Sequence, residues 1–402
     1  MLLPYLTSDL PGIGGQIKQR IEDFRVDEMP LYQPSGEGPH VYFRVRKVGI
    51  PTPAVVERIA ARMHVRRTDV GFAGLKDARA VTTQWMSLEH ADADKLAAYR
   101  DGQITVEQVT RHTNKLRVGH LAGNRFAIRI RHVGPDDLPA ARAVLDVLAR
   151  RGAANYFGAQ RFGLRGDTGT LGEALVRGEL DEFLAIFLGR PAETDPHDIR
   201  AAREAFDAGD LDAARARWPR HYSNERRALA AYSKRRRAGP AVAAVDKRMK
   251  RLYVSAFQSE MFNDVLASRI DSIDRVMAGD LAQKTDTGGV FLVEDADAEQ
   301  PRAQAGEISP TGPIVGYRAK LAEGAPGRIE REALARRGVQ PEQFRAAGPL
   351  KTKGTRRSLR FPLTGPAISA GADEHGDYIE LTFTAPSGCY ATAVLREVMK
   401  AD

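Results

Sequence analysis

The chain holds one cysteine in 402 residues, Cys389. A lone thiol excludes an internal disulfide and favours a reducing compartment, with the cytoplasm as the default. No window reaches the roughly 18 consecutive apolar residues that a membrane span needs. The start, MLLPYLTSDLPGIGG, lacks a basic stretch followed by a long apolar one, so no signal peptide is expected. The nine histidines are scattered, and none stands in an HExxH or paired-cysteine pattern. No metal site is therefore expected. There is no Walker A loop and no GxGxxG after a strand, which leaves nucleotide hydrolysis and nicotinamide chemistry without an anchor.

What the chain does have is length, apolar content and positive charge. Its 402 residues suggest two or three domains. An apolar share of 43% suffices for real cores. The net charge of +8 suits a polyanionic partner, because each Lys or Arg on a phosphate releases condensed counterions. The same charge is also compatible with plain solubility.

The first 130 or so residues read as strands alternating with short helices. In VYFRVRKV, Val41, Phe43 and Val45 alternate with Tyr42, Arg44 and Arg46, which predicts a half-buried strand with a basic outer face. TPAVVERIAARM predicts a helix with Thr52 as N-cap and Pro53 at the first helical position. TTQWMSLEH is a further strand, and two more flank a turn at LAGN. The stretch Asp137 to Gly152 is an amphipathic helix closed by glycine. From about residue 165 to 270 the pattern is helical. There Tyr253, Phe257, Met261 and Val265 recur at helical spacing, as a packed core face does. GPLKTKGTRRSLRF is a basic, glycine-containing connector. The end returns to β character, with Ile379, Leu381 and Phe383 on one strand face before a Pro-Ser-Gly turn and a short helix. A β-rich start, a helical middle and a β-rich end suggest one domain interrupted by another.

Four places can carry chemistry. In GFAGLKDARAVTTQ a single acid, Asp77, stands between Lys76 and Arg79 after small and apolar residues. It is either an exposed ion pair, worth little, or an ionised carboxylate at a strand end, able to act as nucleophile or base toward a sugar carbon. In GNRFAIRIR, Phe126, Ile128 and Ile130 share one face, and Arg125, Arg129 and Arg131 the other. Phe126 is either core or a stacking platform for a base. NYFGAQRFG is either core packing around a buried amide or part of an RNA-facing surface. The basic runs SKRRR, KRMKR and KTKGTRR favour, taken together, a phosphate-binding surface.

The segments AGLKDARAVTTQ, NKLRVGHLAGNRFAIRIR, NYFGAQRFG, SPTGPIVG and PSGCYATAVLRE, in that order, resemble the tRNA pseudouridine synthase D (TruD) family. The resemblance runs from IKQRIEDFRVDE to the C-terminus and is loose between about residues 170 and 305. It implies an α+β fold. A pseudouridine-synthase catalytic domain with a central mixed, mainly antiparallel sheet spans residues 1–154 and 350–402, and a family-specific α+β domain is inserted at 155–349. It implies conversion of uridine to pseudouridine at tRNA position 13, without metal or cofactor. The family's catalytic aspartate matches Asp77. Its stacking phenylalanine and nearby asparagine match Phe126 and Asn124. A second pocket aromatic matches Tyr390, and the lysine ahead of the family's EDF segment matches Lys18. Two positions depart from the pattern: Tyr390 stands where Phe is common, bringing a hydroxyl that needs a partner, and Cys389 stands in place of Ser, as a small turn residue.

On this reading the uridine leaves the stack before it reacts, Phe126 and Tyr390 hold the uracil, and Asn124 bonds the base or orders the loop. Lys18 or Lys76 pairs with Asp77. Neighbours on a strand point to opposite faces, which favours Lys18. The competing readings are a non-catalytic RNA-binding or folding factor, a base-excising glycosylase, and the same chemistry on another RNA site. A monomer with tRNA as partner and no membrane association is expected.

Overall fold

Strands form where every second side chain is apolar. In Phe24–Pro30 (β1) the buried positions begin with Phe24 and Val26, and in His40–Val48 (β2) they include Val41, Phe43 and Val45. Six more strands join them: β3 (Gly71–Phe72), β4 (Val81–Glu89), β5 (Ile104–His112), β6 (Leu121–Arg131), β7 (Thr364–Asp373) and β8 (Gly376–Pro386). They build one sheet in the order β7-β8-β6-β1-β4-β2-β5, with β3 added beside β4. β1 and β4 run parallel, and the other pairings are antiparallel. This is the mixed, mainly antiparallel sheet expected of the α+β class. The computed structural model describes residues 3–346 and 348–401.

Contacts divide the chain into two units. One is Ala154–Arg360 together with the described residues ahead of Tyr5, and the other joins Tyr5–Ala153 to the residues from Phe361 onward. The sheet belongs to the second unit. Helix Thr52–Met63 lays Val55, Val56 and Ile59 against Val41, Phe43, Val45, Met86 and Leu88. Each such side chain contributes about 1.5–3 kcal/mol when fully buried. Helix Leu138–Arg151 buries Ala141, Val144, Leu145 and Leu148 and ends at Gly152, whose φ of 80° favours glycine. At the other end, Glu397 accepts hydrogen bonds from the Leu6 and Thr7 amides and the Thr7 hydroxyl, tying the last helix to the start of the chain.

Two local expectations need correction. Thr52 does not cap its helix, which begins at Thr52 itself after Pro51. Its hydroxyl is fully buried and used elsewhere, as described below. LAGN is not a turn either. Leu121 to Asn124 open β6, paired with β1 on one side and, from Gly123 on, with β8 on the other. The glycine marks a close backbone approach: a β-carbon at Gly123 would lie 2.3 Å from the Ala385 carbonyl oxygen. Gly123→Ala is therefore expected to push β6 from β8 and destabilise the unit by about 1–3 kcal/mol, measured by urea melts of both proteins.

The unit Ala154–Arg360 is largely helical, from Thr168–Arg177 to the long helix Lys247–Ser268. Tyr253, Phe257 and Met261 of that long helix join Phe183 and Phe187 in its core. Behind the helices, Thr355–Ser358, Ile308–Ile314, Leu281–Lys284 and Val290–Leu292 make an antiparallel sheet in that order. The basic stretch expected as a connector is thus partly a strand. Among the described residues, no helix is long and apolar enough to cross a membrane.

Candidate active site

Asp77 lies in the loop between β3 and β4, residues 73–80, which has no regular structure. Such a loop needs its polar groups anchored, and its ends are held by the Gly119 amide on the Ala73 carbonyl at 2.8 Å and the Gly49 amide on the Ala80 carbonyl at 3.2 Å. The Lys76 amide donates to the Thr52 hydroxyl at 3.0 Å, and that hydroxyl donates to Gln84 Oε1 at 2.9 Å. Gln84 Nε2 donates to the Gly74 carbonyl at 3.3 Å. Lys47 Nζ donates to the Asp77 carbonyl at 2.6 Å and to the Ile50 carbonyl at 2.7 Å. Arg79 reaches the Gln19 carbonyl at 3.3 Å.

The two candidate lysines take different partners. Lys18 Nζ lies 3.0 Å from Asp77 Oδ1, and the Asp77 side chain keeps 47% of its surface exposed. The same ammonium sits 4.2 Å from the centre of the Phe24 ring, a cation–π contact. The Lys18 backbone has φ of 55°, a left-handed conformation that strains a residue with a side chain. Lys76 turns inward instead, 2.8 Å from Glu28 Oε2, in a pair with side chains 5% and 1% exposed. Strand alternation is not the cause, because neither Lys76 nor Asp77 lies in a strand. The cause is Glu28, a buried carboxylate that requires a cation. Its other oxygen accepts the Trp85 amide at 3.1 Å.

Lys76 also fixes Asn124. Its ammonium donates to Asn124 Oδ1 at 2.8 Å. A lysine has donors only, so the amide oxygen must face it and the amide hydrogens must point away. Pairing of Asn124 with Glu28 and with Ala385 sets this side chain beside the Lys76 pair and the β8 end. Two residues on, Phe126 is 7% exposed and packs between Phe24 and Phe383, with ring centres at 6.4 and 5.2 Å. Tyr390 is half-buried, just ahead of helix Ala391–Met399. Its segment follows the turn after β8, where the Ser387 amide donates to the Ala122 carbonyl at 2.9 Å.

Sequence reasoning missed Lys47 and Glu28. A signal was present: Lys47 falls in phase with Val41, Phe43 and Val45, and Glu28 in phase with Phe24 and Val26. A charge on the buried phase of a strand is the pattern to search for. Burial pulls the Lys47 ammonium down to about 8, against the raising effect of the Asp77 carboxylate and with the Lys76 ammonium adding to the drop.

The basic features are less open than the sequence suggests. Arg131 and Arg129 are held by Asp23, Asp373 and Glu380. Arg356 pairs with Glu330 at 2.6 Å, and Arg357 stacks over Phe157 at 4.3 Å. Asn155 is buried and donates to the Ser358 carbonyl at 2.9 Å, and Tyr156 is buried beside it, but from Phe157 on the segment is half-buried to exposed, with Gln160 exposed. Exposed charge remains at Lys234 to Arg237 and at Lys247, Arg248 and Arg251. The helical unit also carries an open cleft of about 580 Å³ lined by Arg215, Arg217, Arg220 and Arg226 with Asp198 and Asp212.

The family model of tRNA pseudouridine synthase D (TruD) matches residues 2–398. A tRNA pseudouridine synthase D of Geobacter sulfurreducens (strain ATCC 51573 / DSM 12127 / PCA) is 45% identical over 397 residues, 98% of this chain and 96% of the relative. One of Anaeromyxobacter dehalogenans (strain 2CP-C) is 37% identical over 402 residues, 100% of this chain and 97% of the relative. A crystal structure from Methanosarcina mazei, described as a tRNA pseudouridine synthase D, superposes with a TM-score of 0.88 at 29% identity, covering 99% of this chain and 96% of that one. With its sheet, its interrupting helical unit and its full-length matches, the chain belongs to the tRNA pseudouridine synthase D family.

Proposed function

We propose that this protein isomerises uridine to pseudouridine in tRNA, at position 13, with Asp77 as the catalytic carboxylate. The observation that carries the reading is Asp77 itself, side chain open to a ligand, charge balanced by Lys18 at 3.0 Å and main chain held by Lys47 at 2.6 Å. A half-exposed, ionised carboxylate in an anchored loop suits attack at a ribose carbon. The carboxylate bonds to C1′ as the N1–C1′ bond breaks, the detached uracil turns in the pocket, and the carboxylate leaves C1′ as the C5–C1′ bond forms. C5 gives up its proton and N1 gains one, so nothing is added or released and no co-reactant is needed.

The target leaves its stack to reach the carboxylate. The outward amide hydrogens of Asn124 donate to a uracil carbonyl, and Tyr390 and Phe126 offer aromatic surface to the base. Exposed lysines and arginines of the helical unit take RNA phosphates. The single cysteine suits a cytoplasmic setting, and the working state is a monomer.

The test is incubation with unmodified tRNA transcripts, mapping pseudouridine by carbodiimide labelling and primer extension while assaying free uracil. A stop at position 13 and no free uracil is the expected result. Released uracil would make the protein a glycosylase. Tight binding with no product on any tRNA would make it a binding factor.

A further inference from the structure

Lys47 takes no part in the bond changes above, yet it is among the most deeply buried large side chains of the protein. A buried ammonium is costly and is kept where it does something that an apolar residue cannot. Its two hydrogen bonds run to main-chain carbonyls, of Ile50 after β2 and of Asp77 in the loop between β3 and β4. The other main-chain and arginine anchors of that loop act at Ala73, Gly74, Lys76, Arg79 and Ala80; the bond from Lys47 reaches the main chain of Asp77 itself.

We propose that Lys47 is a positioning residue for the reaction, holding the Asp77 main chain so that the carboxylate stands at a fixed height over the site. The proposal rests on the reading of Asp77 as the catalytic group. Geometry supports it in two ways. Lys47 grips the carbonyl of the residue whose side chain is half-exposed and is paired with the partly exposed Lys18. Ile50, the other end of the clamp, is itself buried, so the loop is referred to the core and not to another loop. The charged groups facing the ammonium are the Asp77 carboxylate and the Lys76 ammonium. Its strand neighbours, Thr82 in β4 and Ile104 in β5, carry no charge. A charged donor holds a carbonyl more strongly than a neutral one, so the grip weakens as the ammonium loses its proton.

The experiment compares wild type, Lys47→Met, Lys47→Arg and Asp77→Asn in single-turnover assays from pH 6.5 to 9.5. Affinity for tRNA and melting temperature are measured in parallel. Lys47→Met is expected to bind tRNA within about two-fold of wild type and to react about 10- to 100-fold more slowly, the size of effect that a displacement of about 1 Å produces. The wild-type rate is expected to fall as pH rises past about 8, and Lys47→Arg, charged throughout, to lack that fall. A folded Lys47→Met with the wild-type rate overturns the proposal. Should that variant fail to fold, the wild-type profile decides, and a rate flat across pH 8 overturns it. An active Asp77→Asn fails at a different point, removing the reading on which the proposal rests.

Discussion

Asp77→Asn is expected to lower the rate of pseudouridine formation by about 10⁴-fold or more, the scale seen when a reacting side chain is removed, while tRNA affinity stays within about two-fold. The substitution keeps shape and removes charge. An amide oxygen still accepts from Lys18, but the group is no longer a nucleophile or a base. Nothing else in the loop depends on the carboxylate. The Asp77 carbonyl stays with Lys47, the Lys76 amide with Thr52 and the Gly74 carbonyl with Gln84. The lost ion pair is a partly exposed one, worth less than about 1 kcal/mol to stability, so the melting temperature should barely move. The measurement is single-turnover conversion of a tRNA transcript with enzyme in excess. A loss smaller than ten-fold would assign the chemistry to another residue.

The largest effect on stability is expected from Arg131→Met. Asp23 is fully buried, and Arg131 meets it with Nε at 2.9 Å and Nη2 at 2.7 Å. The same guanidinium bonds Asp373 at 2.9 and 2.8 Å. Arg129 continues the chain to Asp373 and Glu380, and Arg25 closes it on Glu380. Removing Arg131 leaves Asp23 buried without a counter-charge, a loss of about 3–5 kcal/mol, or a fall in melting temperature of about 10 °C for a unit of this size.

The pH dependence follows from the same groups. Burial acts to raise the Asp23 pKa. The hydrogen bonds from Arg131 and the Arg20 amide, with the charges of Arg131 and Arg129, outweigh it, and the net shift is downward from 3.8. A lowered carboxylate stabilises the fold above its unfolded pKa and ceases to as pH falls through the folded value. Wild type therefore loses stability below about pH 4. In Arg131→Met the burial remains without its compensation, so acid neutralises the stranded carboxylate and relieves the variant. The gap between the two proteins should narrow as pH drops from 7 to 3 in parallel thermal melts, and a constant gap would count against this account.

The elements that were plain in the sequence are those with one buried face. Strands β2 and β8 and the helix Leu138–Arg151 each bury a periodic set of side chains, and periodicity is what a sequence displays. Strand β7 gave no such sign. Its residues are Thr, Gly, Pro, Ala, Ile, Ser, Ala, Gly, Ala and Asp, and Ile368 alone among them is buried. It lies at the sheet edge, where pairing with β8 supplies the order that its own side chains do not. The site divides in the same way. Asp77 stood out because one acid lay between two bases, and Lys18 came from the family resemblance. The partners of Lys76 and the role of Lys47 depend on which buried carboxylate or carbonyl lies opposite. Such pairings join Lys47 to Asp77 and Asn124 to Lys76 across 30 and 48 residues, and no local pattern records them.

The interrupted sheet also sets a timetable for the newborn chain. Arg129 in β6 and Glu380 in β8 are partners 251 residues apart. At a ribosomal pace of about 5–20 residues per second, β6 waits roughly 10 to 50 s with one edge unpaired before β8 emerges. The stretch Ala154–Arg360 is contiguous and holds a core of its own, so it has all it needs to fold during that wait. The wall beside Asn124, formed by Ala385 and the Tyr390 segment, is made only after that wait. A chain stopped short of them keeps its aspartate, its lysines and a folded helical unit, yet lacks half of its candidate pocket. A candidate site built from both sides of so long an insertion cannot assemble until its second side has been made.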